Sequence, residues 1–355
     1  VASRTVAQKS TIPALEGIYI RAGVKLTLSG YNLETGITIS VDAEIQQTGA
    51  CIMPSRLFFD IIRKLPGDTV SISVDENFKV SIRGGISSFS ITAMSSEDYP
   101  ELPEVESDKG ISLPQNELKA MIGGTSFAVS ENQARPIHTG CLFEVEDSSI
   151  TVVAVDGYRL ALRRWKSEEP IGRTLKFVVP AAALKEAEKI LGDTDEACTF
   201  FLGSKHILFT IGEATLVCRL LEGEFLDWRR VLPQNQPVKL AVNVAKMTDS
   251  IERVGLIISE KLKSPVRCKF GENTADFRSV STIGEAHDVC QIAGDGQDME
   301  IGFNCRYLLD ALRAIPDAEC SLELINGLSP IVMNPCDGSE RYSYMVLPVR
   351  LKAGE

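Results

Sequence analysis

The chain has 355 residues, of which 44% are hydrophobic and 24% charged, a composition typical of a globular protein with two or three domains. Its apolar runs are too short for a membrane-spanning helix and no secretory leader opens the sequence, which indicates a cytoplasmic protein without a membrane partner. The formal net charge of −11 argues against wrapping nucleic acid around a broadly basic surface.

Nine cysteines are scattered along the chain without a CxxC pair, and most of them lie inside apolar runs. This pattern is typical of reduced, buried thiols in a cytosolic protein. The three histidines, His138, His206 and His287, are too few for a multi-histidine metal site. We therefore expect no disulfide, no bound metal and no other cofactor.

An internal repeat organises the chain. One unit recurs five times: a short apolar strand, a proline or an asparagine, and an amphipathic helix. The punctuating residues stand at positions 54, 114, 180, 243 and 304, so the gaps between them are 60, 66, 63 and 61 residues. Proline suits a helix start because its missing N–H would be unpaired there. The units predict helices over residues 55–65, 115–122, 181–191, 244–255 and 305–315.

Segments with alternating apolar and polar residues follow the helices. They predict strands at 70–74, 78–82 and 89–93, and again at 200–202, 207–211 and 214–220. The dipeptides Asp156-Gly157 and Asp295-Gly296 predict tight hairpin turns. Strands with one polar face indicate antiparallel sheets that helices cover on one side, so the fold class is α+β.

Two polar connectors, residues 103–110 and 233–238, divide the repeats into pairs. They predict three tandem domains of similar fold over residues 1–110, 111–235 and 236–355, each made of two strand–helix–sheet units. The first domain is shorter, and from the repeat we expect that its opening strand and most of its first helix are absent from this sequence.

Cations are concentrated in the helices. Residues 1–10 and the five predicted helices carry a net charge of +5, which leaves −16 on the rest of the chain. A repeated basic helix face would meet phosphates without regard to base sequence, although solvated helix faces without a partner remain an alternative.

Motifs for phosphate loops, dinucleotide binding, zinc proteases and serine hydrolases are missing from the sequence. Glu144 and Glu146 alternate along one predicted strand and would share a face, and Asp156 follows the next strand. An enzyme that uses one of these carboxylates is an alternative function. A solvated strand face and a hairpin turn are the simpler interpretations.

The repeat and several local motifs resemble the bacterial DNA polymerase sliding clamps, the β subunits of the replicative polymerase. The motifs are KSTIPAL at 9–15, SFAVS at 126–130, DGYRLA at 156–161, EGEFLDWRRVLP at 222–233 and YMVLPVRL at 344–351. The resemblance implies a non-enzymatic processivity factor, a ring-shaped homodimer whose helices line a hole around duplex DNA and whose sheets form the outer wall. A helix face that makes no base contacts can slide over phosphates.

By this resemblance, the cations of the helices and residues of two loops approach DNA. These residues are Lys9, Arg56, Arg63, Lys64, Lys119, Asn132, Arg135, Lys185, Lys189, Lys246, Arg253, Arg306 and Arg313.

The resemblance also implies a cleft between the second and third domains that binds short linear peptides. The matching positions are Val155, Gly157, Tyr158, Arg159, Leu160, Leu226, Arg230, Val231, Pro330, Met345, Val346, Leu347, Pro348, Val349 and Arg350. Aliphatic walls and a flexible methionine suit an extended peptide with apolar anchors. His138, Val155 and Leu226 depart from the family's usual leucine, threonine and proline. The implied partners are the polymerase catalytic subunit, the clamp loader, translesion polymerases, mismatch-repair proteins and ligase.

Dimer closure would pair the first domain of one subunit with the third domain of the other. The matching positions are Phe89 and Ile91 on an edge strand, and Ile257 and Ile258 at the end of a helix. Packing of these residues inside the subunit is the alternative, and a monomeric interaction scaffold is a second alternative function. A protein of this family belongs in the cytoplasm, associated with the nucleoid.

Overall fold

The computed structural model describes residues 1–106, 109–258 and 264–351. Within them, five α-helices lie where the repeat predicts them. They are α1 (Ser55–Lys64), α2 (Gln115–Gly123), α3 (Ala181–Ile190), α4 (Val244–Gly255) and α5 (Cys305–Arg313).

The same residues form 22 strands, all paired antiparallel. They are β1 (Gly17–Ala22), β2 (Leu26–Tyr31), β3 (Thr35–Val41), β4 (Gly49–Pro54), β5 (Ser71–Val74), β6 (Lys79–Gly84), β7 (Ser87–Thr92), β8 (Met94–Ser95), β9 (Ile111–Pro114), β10 (Gly140–Glu146), β11 (Ser149–Val155), β12 (Arg159–Lys166), β13 (Leu175–Pro180), β14 (Ala197–Leu202), β15 (His206–Ile211), β16 (Ala214–Arg219), β17 (Val238–Asn243), β18 (Val266–Ser281), β19 (Gly284–Phe303), β20 (Glu319–Leu324), β21 (Ile331–Pro335) and β22 (Tyr342–Val346). The predicted strands coincide with β5–β7 and β14–β16.

The chain folds into two compact units. The first contains Val1–Lys119 and Lys185–Leu220, and it holds a nine-stranded sheet ordered β8-β4-β1-β2-β3-β16-β15-β14-β9 and the three-stranded sheet β5-β6-β7. The second contains Ala120–Leu184 and the chain from Leu221 onwards, with a ten-stranded sheet ordered β13-β10-β11-β12-β22-β21-β20-β17-β19-β18. The middle repeat pair contributes strands to both large sheets, through β16 beside β3 and β12 beside β22. The domain boundaries at 110 and 235 therefore stay a prediction.

The helices bury apolar side chains at helical spacing, although α1 buries only part of its predicted apolar face. In α1 the buried side chains are Phe58 and Ile61, and in α5 they include Leu308 and Leu312. The asparagines of the repeat act as helix caps, because the side chain of Asn304 accepts a hydrogen bond from the backbone N–H of Tyr307 at 3.2 Å. Asn243 caps α4 in the same way, and one such cap contributes about 1 kcal/mol to helix stability.

The first repeat leaves a strand edge and part of a helix open. Strand β5 pairs only with β6 within the described residues, whereas the equivalent strand β20 has β17 and β21 on its two sides. Helix α5 packs against α4, but Leu57, Phe59 and Ile62 of α1 are exposed. A groove of about 560 Å³ beside α1 is lined by residues that include Pro13, Pro54 and Leu57.

The hairpin turn predicted at Asp295-Gly296 is wrong. Strand β19 runs through both residues and pairs with β18 on either side, with register shifts between Phe270 and Thr274. Gln297 and Asp298 adopt left-handed backbone conformations next to this point. The dipeptide belongs to a bulge, which takes up extra residues without reversing the strand.

Seven of the nine cysteines are buried, as their apolar surroundings in the sequence predict, whereas Cys305 is half-buried and Cys336 is exposed. Within the described ranges, no helix is long and apolar enough to cross a membrane.

Candidate functional site

The Asp156-Gly157 dipeptide forms the hairpin turn that the sequence predicts between β11 and β12. The carboxylate of Asp156 accepts hydrogen bonds from the backbone N–H groups of Tyr158, at 2.9 Å, and Arg159, at 3.0 Å. Gly157 has φ of +92°, a conformation that favours glycine. The turn leaves the side chain of Tyr158 exposed.

The C-terminal strand lies directly beside this hairpin. Strand β22 pairs antiparallel with β12, so that Leu160 is opposite Met345. Past the end of β22, the N–H of Leu347 still donates to the carbonyl oxygen of Tyr158 at 2.8 Å. Pro348 has no N–H to continue the ladder, and Val349 turns to donate to the carbonyl oxygen of Gly302 at 2.8 Å. The hairpin and the tail thereby form one surface.

An apolar cluster supports this surface from below. It includes Val155, Leu160 and Met345 together with Phe225 and Trp228, which the motif at 222–233 supplies. Val231 and Leu347 pack against the same cluster. We call the surface formed by the turn at Asp156-Gly157, the start of β12, the segment Leu226–Val231 and the tail Met345–Arg350 the hairpin–tail site.

All fifteen predicted cleft residues lie in or next to the hairpin–tail site, but they differ in exposure. Val155, Arg159, Leu160, Met345 and Val346 are buried; Val231, Pro330, Leu347 and Pro348 are half-buried; Gly157, Tyr158, Leu226, Arg230, Val349 and Arg350 are exposed. Pro330 belongs here because it precedes Ile331, which pairs with Val346. The buried group forms the floor, and the exposed group is the part that a ligand would meet.

Arg159 is a structural cation rather than a free one. Its guanidinium donates to the carboxylates of Asp156, at 3.0 Å, and Asp310, at 2.6 Å, and to the carbonyl oxygen of Phe127 at 2.6 Å. It also lies 4.3 Å from the ring centroid of Tyr307, a cation–π contact. Arg159 therefore fixes α5 against the base of the hairpin.

His138 lies at the edge of the apolar cluster. Its ring makes an edge contact with the ring of Phe225, with 4.9 Å between centroids. Burial and the nearby charge of Arg135 lower the pKa of His138. The imidazole is therefore neutral at pH 7 and packs as an aromatic ring against Phe225.

The carboxylates of the enzyme alternative are engaged in structural contacts. Glu144 accepts hydrogen bonds from the indole N–H of Trp228 at 3.0 Å and from Arg229 at 2.8 Å. Glu146 also contacts Arg229, at 3.3 Å, so the two glutamates share a strand face as predicted. Asp156 orders its own turn and pairs with Arg159.

Several residues of the site were missed from the sequence. Tyr307 and Asp310 lie on α5, far along the chain from the hairpin, and no local signal connects them to it. Phe225 and Trp228 stand inside a recognised motif, where two aromatic residues among charges were the available signal.

The cations predicted to face DNA fall into two groups. Within the described residues, Lys9, Arg56, Arg63, Lys64, Arg135, Lys185 and Lys246 are exposed and form no ion pair. Five others lie near an acid: Lys119 with Asp193, Lys189 with Glu186, Arg253 with Asp288, Arg313 with Glu252, and Arg306 with Asp310 at 3.9 Å. Asn132 orders its exposed loop by accepting from the N–H of Ala134 at 2.9 Å. Exposed ion pairs of this kind are weak, so they can be exchanged for phosphate contacts.

The residues predicted for the dimer contact are divided between surface and core. Phe89 is exposed on β7, whereas Ile91 packs against the core of the first repeat. Ile257 and Ile258 are half-buried, and their neighbour Leu256 is 82% exposed. Within the described residues, β7 pairs only with β6, and β19 pairs with β17 only at Ile292 and Ala293. Both strands therefore present free edges.

Comparison with known proteins agrees across the whole chain. The models of the N-terminal, central and C-terminal domains of the DNA polymerase III beta subunit match residues 1–103, 112–227 and 229–350. The beta sliding clamp of Staphylococcus epidermidis is 33% identical over 98% of this chain and 94% of that protein. That of Staphylococcus aureus is 32% identical over the same shares.

Solved structures of bacterial proteins are similar to this chain over nearly its whole length. A putative DNA polymerase III beta subunit from Eubacterium rectale has a TM-score of 0.93 and 32% identity, over 98% of this chain and 95% of that one. The sliding clamp from Bacillus subtilis has a TM-score of 0.93 and 30% identity, over 99% and 95%.

Three tandem clamp domains of mixed α+β structure define the class of the protein: it is a DNA sliding clamp, a polymerase processivity factor without catalytic activity of its own. The chain belongs to the DNA polymerase III beta subunit family.

Proposed function

We propose that two copies of this chain close into a ring around duplex DNA and that the hairpin–tail site binds short peptides of the proteins that work on that DNA. The observation that supports the peptide proposal is the pairing of β22 with β12: Leu160 and Met345 lie opposite each other in one apolar cluster, and Tyr158 and Val349 nearby along the chain are exposed. Such a surface suits an extended peptide with apolar anchors and a few polar contacts.

The partners are the replicative polymerase catalytic subunit, the clamp loader, translesion polymerases, mismatch-repair proteins and ligase. All of them would reach the same site through short linear peptides, so they compete for it. The protein acts in the cytoplasm, at the nucleoid, and needs no cofactor.

Dimer closure joins the free edge of β7 in one subunit to the free edge of β19 in the other. Unpaired strand edges with an exposed apolar side chain, here Phe89, favour pairing with another chain. The expected solution mass is twice the 38.7 kDa of one chain. A mass near 38.7 kDa would instead support a monomeric scaffold.

DNA contact comes from exposed cations on the helices. Those without an acidic partner within the described residues are Arg56, Arg63, Lys64, Lys185 and Lys246. These side chains meet phosphates and read no bases, so sliding is permitted. The net charge of −11 lies largely outside the helices and discourages binding of DNA elsewhere on the surface.

The decisive experiment uses the labelled protein, the clamp loader and ATP on a nicked circular plasmid. Retention on the circle after gel filtration, followed by release when the plasmid is linearised, is the expected result. A variant with Phe89→Glu, which places a charge on the proposed edge, should load poorly and serves as the matched control. Equal loss from circular and linear DNA would exclude a closed ring.

A further inference from the structure

Glu144 on β10 is a carboxylate that contacts the Leu226–Val231 segment of the hairpin–tail site, and its side chain is only 9% exposed. One oxygen accepts from the indole N–H of Trp228 at 3.0 Å and from the guanidinium of Arg229 at 2.8 Å. The other oxygen lies 3.3 Å from the ammonium of Lys176. A buried carboxylate is stable only when it is paired in this way. Glu144 and its three donors therefore restrain one another's positions.

Two of the donors, Trp228 and Arg229, belong to the segment Leu226–Val231 of the hairpin–tail site, which we call its wall. Trp228 and Arg229 form, with Arg230, a single 3₁₀ turn. The indole of Trp228 packs in the same apolar cluster as Leu160 and Met345, and the guanidinium of Arg229 lies 4.2 Å from its ring centroid. Glu144 therefore contacts the turn at two consecutive residues, Trp228 and Arg229.

The turn needs such support because it has few bonds of its own. The N–H of Arg230 donates to the carbonyl oxygen of Asp227 at 3.2 Å, and that of Val231 donates to the carbonyl oxygen of Trp228 at 3.1 Å. A three-residue turn of this kind is not stable in isolation. The next side chain, Arg230, is 87% exposed and pairs with Asp227 at 3.0 Å within the same segment. The turn is therefore held by the packing of Trp228 and Val231 in the apolar cluster and by the contacts of Glu144.

We propose that Glu144 is a positioning residue of the peptide-binding site. Its carboxylate fixes the turn Trp228–Arg230, and this turn holds Leu226 and Val231 in place as a preformed wall. The inference rests on the proposed function of the hairpin–tail site. A preformed wall lowers the entropy cost of binding, because the site does not have to be ordered by the peptide. The loss of Glu144 should thus weaken peptide binding although Glu144 never touches the peptide.

The test replaces Glu144 by glutamine, which keeps an acceptor for the indole and removes the charge that holds Arg229 and Lys176. The matched control is Glu146→Gln, on the same face of β10, half-exposed and without a contact to Trp228. Binding of a fluorescein-labelled peptide from the replicative polymerase is measured by anisotropy. We expect a dissociation constant at least tenfold higher for Glu144→Gln and within twofold of the wild type for Glu146→Gln.

A second measurement separates positioning from general stability. In a Trp165→Phe background Trp228 is the single tryptophan, so acrylamide quenching of the folded protein reports its shielding. We expect greater quenching in Glu144→Gln at temperatures well below the unfolding midpoint. Unchanged quenching together with unchanged peptide affinity would overturn the proposal, since a merely structural role would change only the midpoint.

Two further outcomes keep the test informative. If Glu144→Gln does not fold, Arg229→Met removes only the half-exposed partner, and an affinity at least threefold weaker is expected, whereas unchanged affinity would overturn the proposal. If the wild type itself does not bind the peptide, the proposed function fails, and with it the role of the wall. The quenching data then still show whether Glu144 fixes Trp228.

Discussion

Replacement of Arg159 by methionine tests the contacts that hold α5 against the hairpin. The arginine side chain is 9% exposed and donates to two carboxylates and one carbonyl oxygen, at 2.6 to 3.0 Å. Methionine has a similar length and keeps the apolar contacts, but it leaves Asp156 and Asp310 without their shared cation.

The size of the effect follows from the burial of those acids. Removal of one partner from a buried ion pair costs about 3–5 kcal/mol. Because the side chain of Asp310 keeps 22% exposure and that of Asp156 11%, water compensates in part, and about 3 kcal/mol is the expected loss. In a unit of about 150–250 residues, this corresponds to a fall in the melting midpoint of roughly 6–12 °C.

Urea unfolding followed by tryptophan fluorescence measures this loss, because Trp165 and Trp228 both lie in the second unit. The matched control is Arg164→Met on the same strand, whose partner Glu340 is largely exposed. The control should lose less than about 1 kcal/mol. If Arg159→Met also lost less than about 1 kcal/mol of unfolding free energy, Arg159 would not be the main contact that holds α5 against the hairpin.

Three further predictions concern the tail, a carboxylate and the thiols. Truncation before Pro348 keeps β22 and removes the end of the tail, so the affinity for a polymerase peptide should fall at least tenfold while the solution mass stays that of the wild type. Unchanged anisotropy titrations would contradict the proposed peptide site. Hydrogen bonds from Ser339, and then from Arg341, lower the pKa of Asp337 to about 2. A depressed pKa stabilises the fold above the usual value of about 4, and the gain disappears as the pH falls toward 2. The urea midpoint of wild type should therefore exceed that of Asp337→Asn at pH 5 and converge with it near pH 2; parallel curves would exclude this origin. A thiol reagent at pH 8 should label Cys336 first, because its side chain is exposed, although partial burial and nearby carboxylates raise the pKa of this thiol as well. Burial raises the pKa of Cys218 to about 12 and delays its reaction until unfolding. Labelling of more than two thiols in the folded protein would contradict the described burial.

Local patterns in the sequence were sufficient for the helices and most strands. Phe58 and Ile61 of α1 recur at helical spacing after Pro54, and the side chains of both are buried as the pattern requires. The same local reasoning failed at Asp295-Gly296, because the partner strand β18 continues past the dipeptide and makes a bulge more favourable than a turn.

The residues of the site that stand in recognised motifs were predictable from the sequence. The motifs at 156–161, 222–233 and 344–351 all converge on the hairpin–tail site, and the structure adds which of their residues are exposed. Arg159 stands in a motif and was assigned to the ligand surface, yet its charge is committed to Asp310. That contact depends on where α5 packs, which no nearby residue encodes.

The sequence by itself determined the repeat, the five helices and the family, since each depends on residues close together in the chain or on motifs read in order. Only the tertiary structure decided that Glu144 pairs with Trp228 and Arg229, that Glu146 pairs with Arg229, and that Tyr307 and Asp310 complete the base of the site. The physical reason is that charge and hydrogen-bond partners are chosen across strands and between helices, at separations over which sequence spacing carries no information.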